Sequence, residues 1–109
     1  MVGYRSAHLD AVFHALAHPA RRSILRQLAK DERSISELAQ PFDMSLEAVS
    51  KHIDVLERAR LLRRSRRGRV RQCRLRPEPL RDAAKLLADL TVMWNRQLDA
   101  LEALLAEDD

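Results

Sequence analysis

Residues 60–76 read RLLRRSRRGRVRQCRLR, and extending the stretch back to Arg58 gives ten arginines and no acid in nineteen residues. A run of like charge is usually a solvated tail. This run instead sits mid-chain, with Leu61 and Leu62 ahead of it and Gly68 at its centre. Val70, Cys73 and Leu75 fall in its second half, expected on the side away from solvent. Apolar residues on both flanks of a turn-former read as two short extended runs, so the spacing predicts a β-hairpin that carries its arginines on a folded element.

The rest of the chain supports a folded frame for that hairpin. It has 109 residues, 46% hydrophobic and 33% charged, the balance of one globular domain. Only two glycines occur, which argues against a many-stranded sandwich. The net charge is +4, yet residues 58–76 carry +10, so the other ninety residues sum to −6. From Glu78 onward eight acids stand against Arg81, Lys85 and Arg96. A positive patch on an acidic body points to a localised polyanion surface. A lone cysteine, Cys73, excludes an internal disulfide and suits a reducing compartment. MVGYRSAHLD has no signal-like pattern and no run approaches eighteen apolar residues, so the expectation is a soluble cytoplasmic protein with no membrane partner.

Upstream of the hairpin the periodicity is helical. Leu9, Val12, Phe13, Leu16 and Ala17 share one face, predicting a first helix over about 8–18. Pro19 suits the first turn of a second, to about Ala29, which buries Ile24, Leu25 and Leu28 and turns Arg21, Arg22 and Arg26 elsewhere. Ser34 with Glu37 makes a capping box for a short third helix, and Ser45 is an N-cap for a fourth, LEAVSKHIDVLERA. On that fourth helix Val49, Ile53 and Leu56 fall on one side. Glu47, Lys51, Asp54 and Arg58 fall opposite, with Ser50 near the edge. Two short helices and a tight turn over about 34–59 have the layout of a helix-turn-helix, whose second helix needs one anchored face and one face for base edges.

Downstream, Pro77 and Pro79 end the extended structure and introduce a long helix over about 78–106. Leu80, Ala84, Leu87, Thr91, Trp94, Leu98, Leu101 and Leu105 keep a 3,4 spacing, and Leu86, Leu90 and Met93 widen the stripe. A helix of that length outreaches one small core, so the seam is expected to meet a second copy, assisted by Leu9, Phe13 and Leu16. The expected dimer interface is therefore Leu9, Phe13, Leu16, Leu87, Leu90, Trp94, Leu98, Leu101 and Leu105.

Three segments together resemble the ArsR-type (ArsR/SmtB) winged-helix repressors: ALAHPARRSILRQLA, SISELAQPFDMSLEAVSKHIDVLERARLL and GRVRQCRL. The similarity runs over about 9–106, most specifically in P-x-R-R-x-I-L-x-x-L at 19–28 and S-x-x-A-V-S-K-H at 45–52. It implies a mainly α winged helix-turn-helix of five helices with a small β-hairpin, a wing over about 61–76, and a homodimer paired through the first and last helices. It implies DNA contacts at Leu46, Glu47, Ser50 and Lys51, and wing contacts at Arg66, Arg67, Arg69 and Arg71. With Ser45, Asp54 and Arg58 these complete the expected DNA-facing set. The sequence departs from the family in three places. ELAQPFD carries no C-x-C, no histidine follows His52 on the last helix, and Arg60 stands where the recognition helix often ends in glycine.

No metal and no cofactor are therefore expected, and whether a small-molecule effector relieves repression is left open by the sequence. His14 and His18, four apart, have the spacing of a ligand pair but lack a third group nearby, so exposed or capping roles are expected of them. Cys73 among arginines invites a lowered pKa and a redox role, against the plainer reading of a half-buried strand cysteine. No Ser/His/Asp grouping or phosphate loop supports an enzyme. The expected function is a sequence-specific DNA-binding repressor on a pseudo-palindromic operator in double-stranded DNA. Its rivals are a helical adaptor whose basic hairpin grips an acidic partner, a thiol-based regulator acting through Cys73, and an RNA-binding domain. The last is disfavoured because residues 43–76 contain no Phe, Tyr or Trp to stack on bases.

Overall fold

The computed structural model describes residues 2–107, with side chains from His8 onward. Five helices and three short strands follow in the order α1 (Val2–Leu16), α2 (Pro19–Lys30), β1 (Arg33–Ser34), α3 (Ile35–Ala39), α4 (Leu46–Arg58), β2 (Leu62–Arg67), β3 (Val70–Leu75) and α5 (Glu78–Glu107). Local chemistry explains the boundaries. His18 caps α2 through Nδ1, which accepts from the Ala20 amide at 3.1 Å, and Pro19 takes the first turn. At α3 the capping box closes both ways, Glu37 N to Ser34 Oγ at 3.1 Å and Ser34 N to Glu37 Oε1 at 2.9 Å. Those bonds to Ser34 hold the Glu37 carboxyl below its usual range. Ser45 Oγ caps α4 by accepting from Ala48 N at 3.1 Å.

The end of α4 holds the arginine expected at the left-handed position. Arg60 has φ 61, its amide donates to Glu57 O at 2.9 Å, and Leu61 N reaches Leu56 O at 3.0 Å. That pair of bonds is a Schellman motif, sealed by Leu56 and Leu61, both 0% exposed. An arginine at positive φ costs on the order of 1 kcal/mol relative to glycine.

One core joins the elements. Val12 and Ala15 of α1, Ile24, Leu25 and Leu28 of α2, Leu38 of α3, and Val49, Ile53 and Leu56 of α4 meet Leu61, Leu62, Cys73 and Ala83. The sheet is antiparallel in the order β1-β3-β2. Gly68 and Arg69 form the two-residue hairpin loop, and only Gly68 has positive φ (63), the pattern of a type II′ turn. A Cβ on Gly68 would meet nothing within 4 Å, so the turn needs its backbone freedom rather than its small size.

Several expectations are corrected. The first helix begins at Val2 and stops at Leu16, because apolar periodicity starts only at Leu9 and cannot register the turns before it. Ala17 is accordingly exposed, past the helix end. Arg21 is buried at 8% exposure instead of turning outward. Its Nε donates to Ala15 O at 2.7 Å and its Nη2 to His14 O at 3.0 Å. A cation there donates to carbonyls at the end of α1, where the helix dipole favours positive charge. The two-residue β1 was not foreseen, since so short a strand has no period to read. Val70 is 46% exposed, because it pairs with Arg67 at the tip and has the opposite parity to Cys73 and Leu75.

Candidate nucleic-acid interface

Helix α4 has the two faces its sequence implies. Val49, Ile53 and Leu56 are 0% exposed, whereas Leu46, Glu47, Lys51 and Arg58 are exposed and Ser50 is half-buried at the margin. The first turn of α4, the start of α3 and the tip of the wing enclose an open groove of about 730 Å³. Leu46, Glu47, Ser50, Arg69, Val70 and Arg71 line it. The groove thus gathers five of the expected DNA-facing residues from both elements. Ser34, Ile35 and Ser36 also line it and were not expected there. The capping box marks where α3 begins, but it is the pairing of β1 with β3, Ser34 opposite Gln72, that sets this segment against the wing.

Register divides the arginines. Residues paired across β2 and β3 share a face, so Arg64, Arg66 and Arg71 lie on the same side as Cys73, and Arg63, Arg67 and Arg74 on the other. Arg66 sits directly opposite Arg71 and Arg63 opposite Arg74. Like charges in that position destabilise a hairpin. Among the described residues, Arg63, Arg66, Arg69, Arg71 and Arg74 have no carboxylate partner. These two arginine–arginine rungs, one on each face of the hairpin, have no carboxylate partner within the described residues and so suit an external polyanion. Arg67 differs, since its Nη1 lies 3.2 Å from Glu32.

Arg64 is the exception on the inward face, and nothing in the sequence distinguishes it from its neighbours. Its Nε and Nη2 donate to Glu57 Oε1 at 2.9 and 2.7 Å, and its amide donates to Glu57 Oε2 at 3.0 Å. Its Nη2 also lies 2.7 Å from Asp54 Oδ1. Burial alone raises the Glu57 carboxyl, but the hydrogen bonds and charge of Arg64 outweigh it and hold the group below its usual range. The network rivets the base of the wing to α4. Asp54, expected among the outward-facing groups, is engaged in this internal pair.

Two further expectations are settled by geometry. Cys73 is 0% exposed, and burial pushes its thiol up to about 11, overriding the Arg64 field that favours thiolate. The lowered pKa expected from its arginine neighbours is therefore corrected: the thiol sits in the core, where the cost of burying a thiolate outweighs the field of Arg64 across the strand pair. His18 is a helix cap, as described, and its ring lies 4.4 Å from that of His52, whose Nδ1 is 3.3 Å from Arg21 Nη1. His14 is exposed. Among the described residues no helix is long and apolar enough to cross a membrane.

A recognition helix anchored on one face, a short helix packed before it and a basic two-stranded wing after it define a winged helix-turn-helix DNA-binding fold. The helix-turn-helix domain model matches residues 16–65. The HTH-type transcriptional regulator Rv2034 of Mycobacterium tuberculosis is 37% identical over 105 residues, covering 96% of this chain and 94% of that protein. The crystal structure of the ArsR family transcriptional regulator RHA00566 superposes with a TM-score of 0.77 at 39% identity, covering 83% of this chain and 93% of the other. A homodimeric winged helix-turn-helix DNA-binding domain from Mycobacterium bovis, solved by NMR, gives 0.62 at 29% identity, over 85% and 83%. The chain belongs to the ArsR family of winged helix-turn-helix transcriptional regulators. Its family regulates transcription and does not catalyse reactions.

Proposed function

We propose that the whole chain acts as a single domain that dimerises through α1 and α5 and represses transcription from a pseudo-palindromic operator. In this reading each protomer lays α4 in a major groove, where Leu46, Glu47, Ser50 and Lys51 face base edges. Ser45 and Arg58 flank that set at the two ends of the helix. Arg66, Arg67, Arg69 and Arg71 of the wing hold phosphates or the neighbouring minor groove. Asp54 acts from behind, through Arg64. Glu47 is an anion in a groove meant for anions, so it fits only where a base presents an amino group, as cytosine does through N4.

The observation that carries the reading is the unrelieved Arg66–Arg71 rung of the wing, on the hairpin face that meets α4, with Arg69 and Arg71 lining the groove beside the open face of that helix. Dimerisation is supported by α5, on which Leu87, Leu90, Trp94, Leu98, Leu101 and Leu105 are 42–60% exposed. The homodimeric M. bovis domain of the same fold adds to that support. Leu9, Phe13 and Leu16 are half-buried against the core, so α1 offers only their outer edges. A dimer seated on an operator excludes polymerase from the same stretch of duplex, which is repression in its simplest form. The test is selection of duplexes from a random pool by the full chain. Enrichment of inverted repeats is expected; enrichment of an unrepeated site, or of nothing, contradicts the proposal.

A further inference from the structure

Outside α5, the large apolar side chains left exposed among the described residues are Met44 (36%), Leu46 (54%) and Val70 (46%). Leu46 and Val70 line the same groove, from α4 and from the wing, with Glu47, Ser50, Arg69 and Arg71 around them. Of the other branched apolar residues of α4, Val49, Ile53 and Leu56 are fully buried and Val55 is partly buried against the core. Leu46 is thus not part of the anchoring stripe. It is the first helical residue after the Ser45 cap, so its backbone is fixed while its side chain stands in the open. The polar and cationic groups around it have obvious counterparts in a duplex; an aliphatic one has a single kind. On the major-groove edge, adenine, guanine and cytosine offer nitrogen and oxygen, and only thymine offers a methyl group, at C5.

We propose that Leu46 reads the C5-methyl of one thymine in each half-site, with Val70 forming the apolar wall across the groove. This rests on the DNA reading above. Helix α4 is set by its buried face, so the position of Leu46 along the base edges is set with it. The contact supplies specificity by exclusion as well as attraction, since a cytosine or purine edge against Leu46 would lose water from its polar groups and gain no partner.

The experiment uses the full chain and the duplex it selects from a random pool. Each thymine is replaced in turn by deoxyuridine, which deletes the methyl and leaves base pairing intact. One thymine per half-site should show about a fourfold loss of affinity, the equivalent of one buried methyl, and replacing both symmetry mates should cost roughly fifteenfold. Leu46→Ala keeps a good helix former at an exposed site and should erase that penalty, whereas Met44→Ala should preserve it. A flat deoxyuridine scan, or penalties that persist in Leu46→Ala, overturns the inference and leaves DNA recognition standing. Failure to select any duplex overturns both.

Discussion

One buried side chain and one half-buried one carry the sharpest consequences at the scale of single residues. A Cys73 thiol with a pKa of about 11 is ionised at neutral pH to roughly one part in ten thousand. It should resist iodoacetamide at pH 8 until denaturant is added, and peroxide should leave DNA affinity unchanged. Labelling of the native protein within minutes would return the thiol to the list of sensors. His52 behaves in the opposite sense to a surface histidine. Burial first, then the charges of His18 and Arg21, hold it below its usual 6.5. The unfolded chain therefore takes up a proton before the folded one does. The contribution of the neutral ring is complete above about pH 6.5 and is lost as the pH falls from there through the lower folded value. Thermal unfolding followed from pH 7.5 to pH 5 should show this loss, and His52→Gln should flatten it.

Among the elements, the proposed function has α4 and the wing divide the work of recognition, and the arginines divide with them. Ser50→Ala and Lys51→Ala should each relax preference at particular operator positions, costing about 1–3 kcal/mol at the right sequence and little on scrambled DNA. Arg69→Ala should weaken binding to both duplexes and lower the salt slope by about one for the phosphate it no longer neutralises. Arg64→Ala should do neither of these. It removes a partly exposed ion-pair network, at about 1–2 kcal/mol of stability after allowing for solvent screening. It lets the wing swing relative to α4, so specific affinity should fall while the salt slope stays as it was. Binding to operator and scrambled duplexes across a salt series, alongside thermal melts, separates the three classes.

These elements were legible in the sequence to differing degrees, for physical reasons. The caps at Ser34 and Ser45, the buried stripe of α4 and the left-handed Arg60 are local, and each follows from a few neighbouring residues. The long-range pairings were not legible. Arg64 looks like its neighbours until strand register turns it toward Glu57 and Asp54. Arg21 looks like a surface residue until the end of α1 presents carbonyls to it. For Cys73 the charge of adjacent residues was readable and the depth of the thiol was not. Of the expected site, the groove-lining residues from α4 and the wing do come together, while Asp54 is engaged behind them.

As a whole, the molecule is too extended to be finished. Its radius of gyration is 19.0 Å, where a compact chain of this length would have about 13 Å. The excess comes from α5: every described residue from Leu87 to Glu107 is exposed, including Trp94 at 59%. Each large seam side chain left in water forgoes roughly 1.5–3 kcal/mol of burial. Trp94→Asp and Leu98→Asp should therefore yield monomers or insoluble protein, and sedimentation of the wild type at micromolar concentration should give a dimer. The geometry of that dimer sets the spacing of its recognition helices and so links the seam to the operator. Sedimentation of the full chain with its selected duplex tests the link most directly. The expected complex holds two protomers on each duplex, on half-sites about one helical turn apart, and is abolished when either half-site is scrambled. One protomer per duplex, bound equally well to a single half-site, would contradict it.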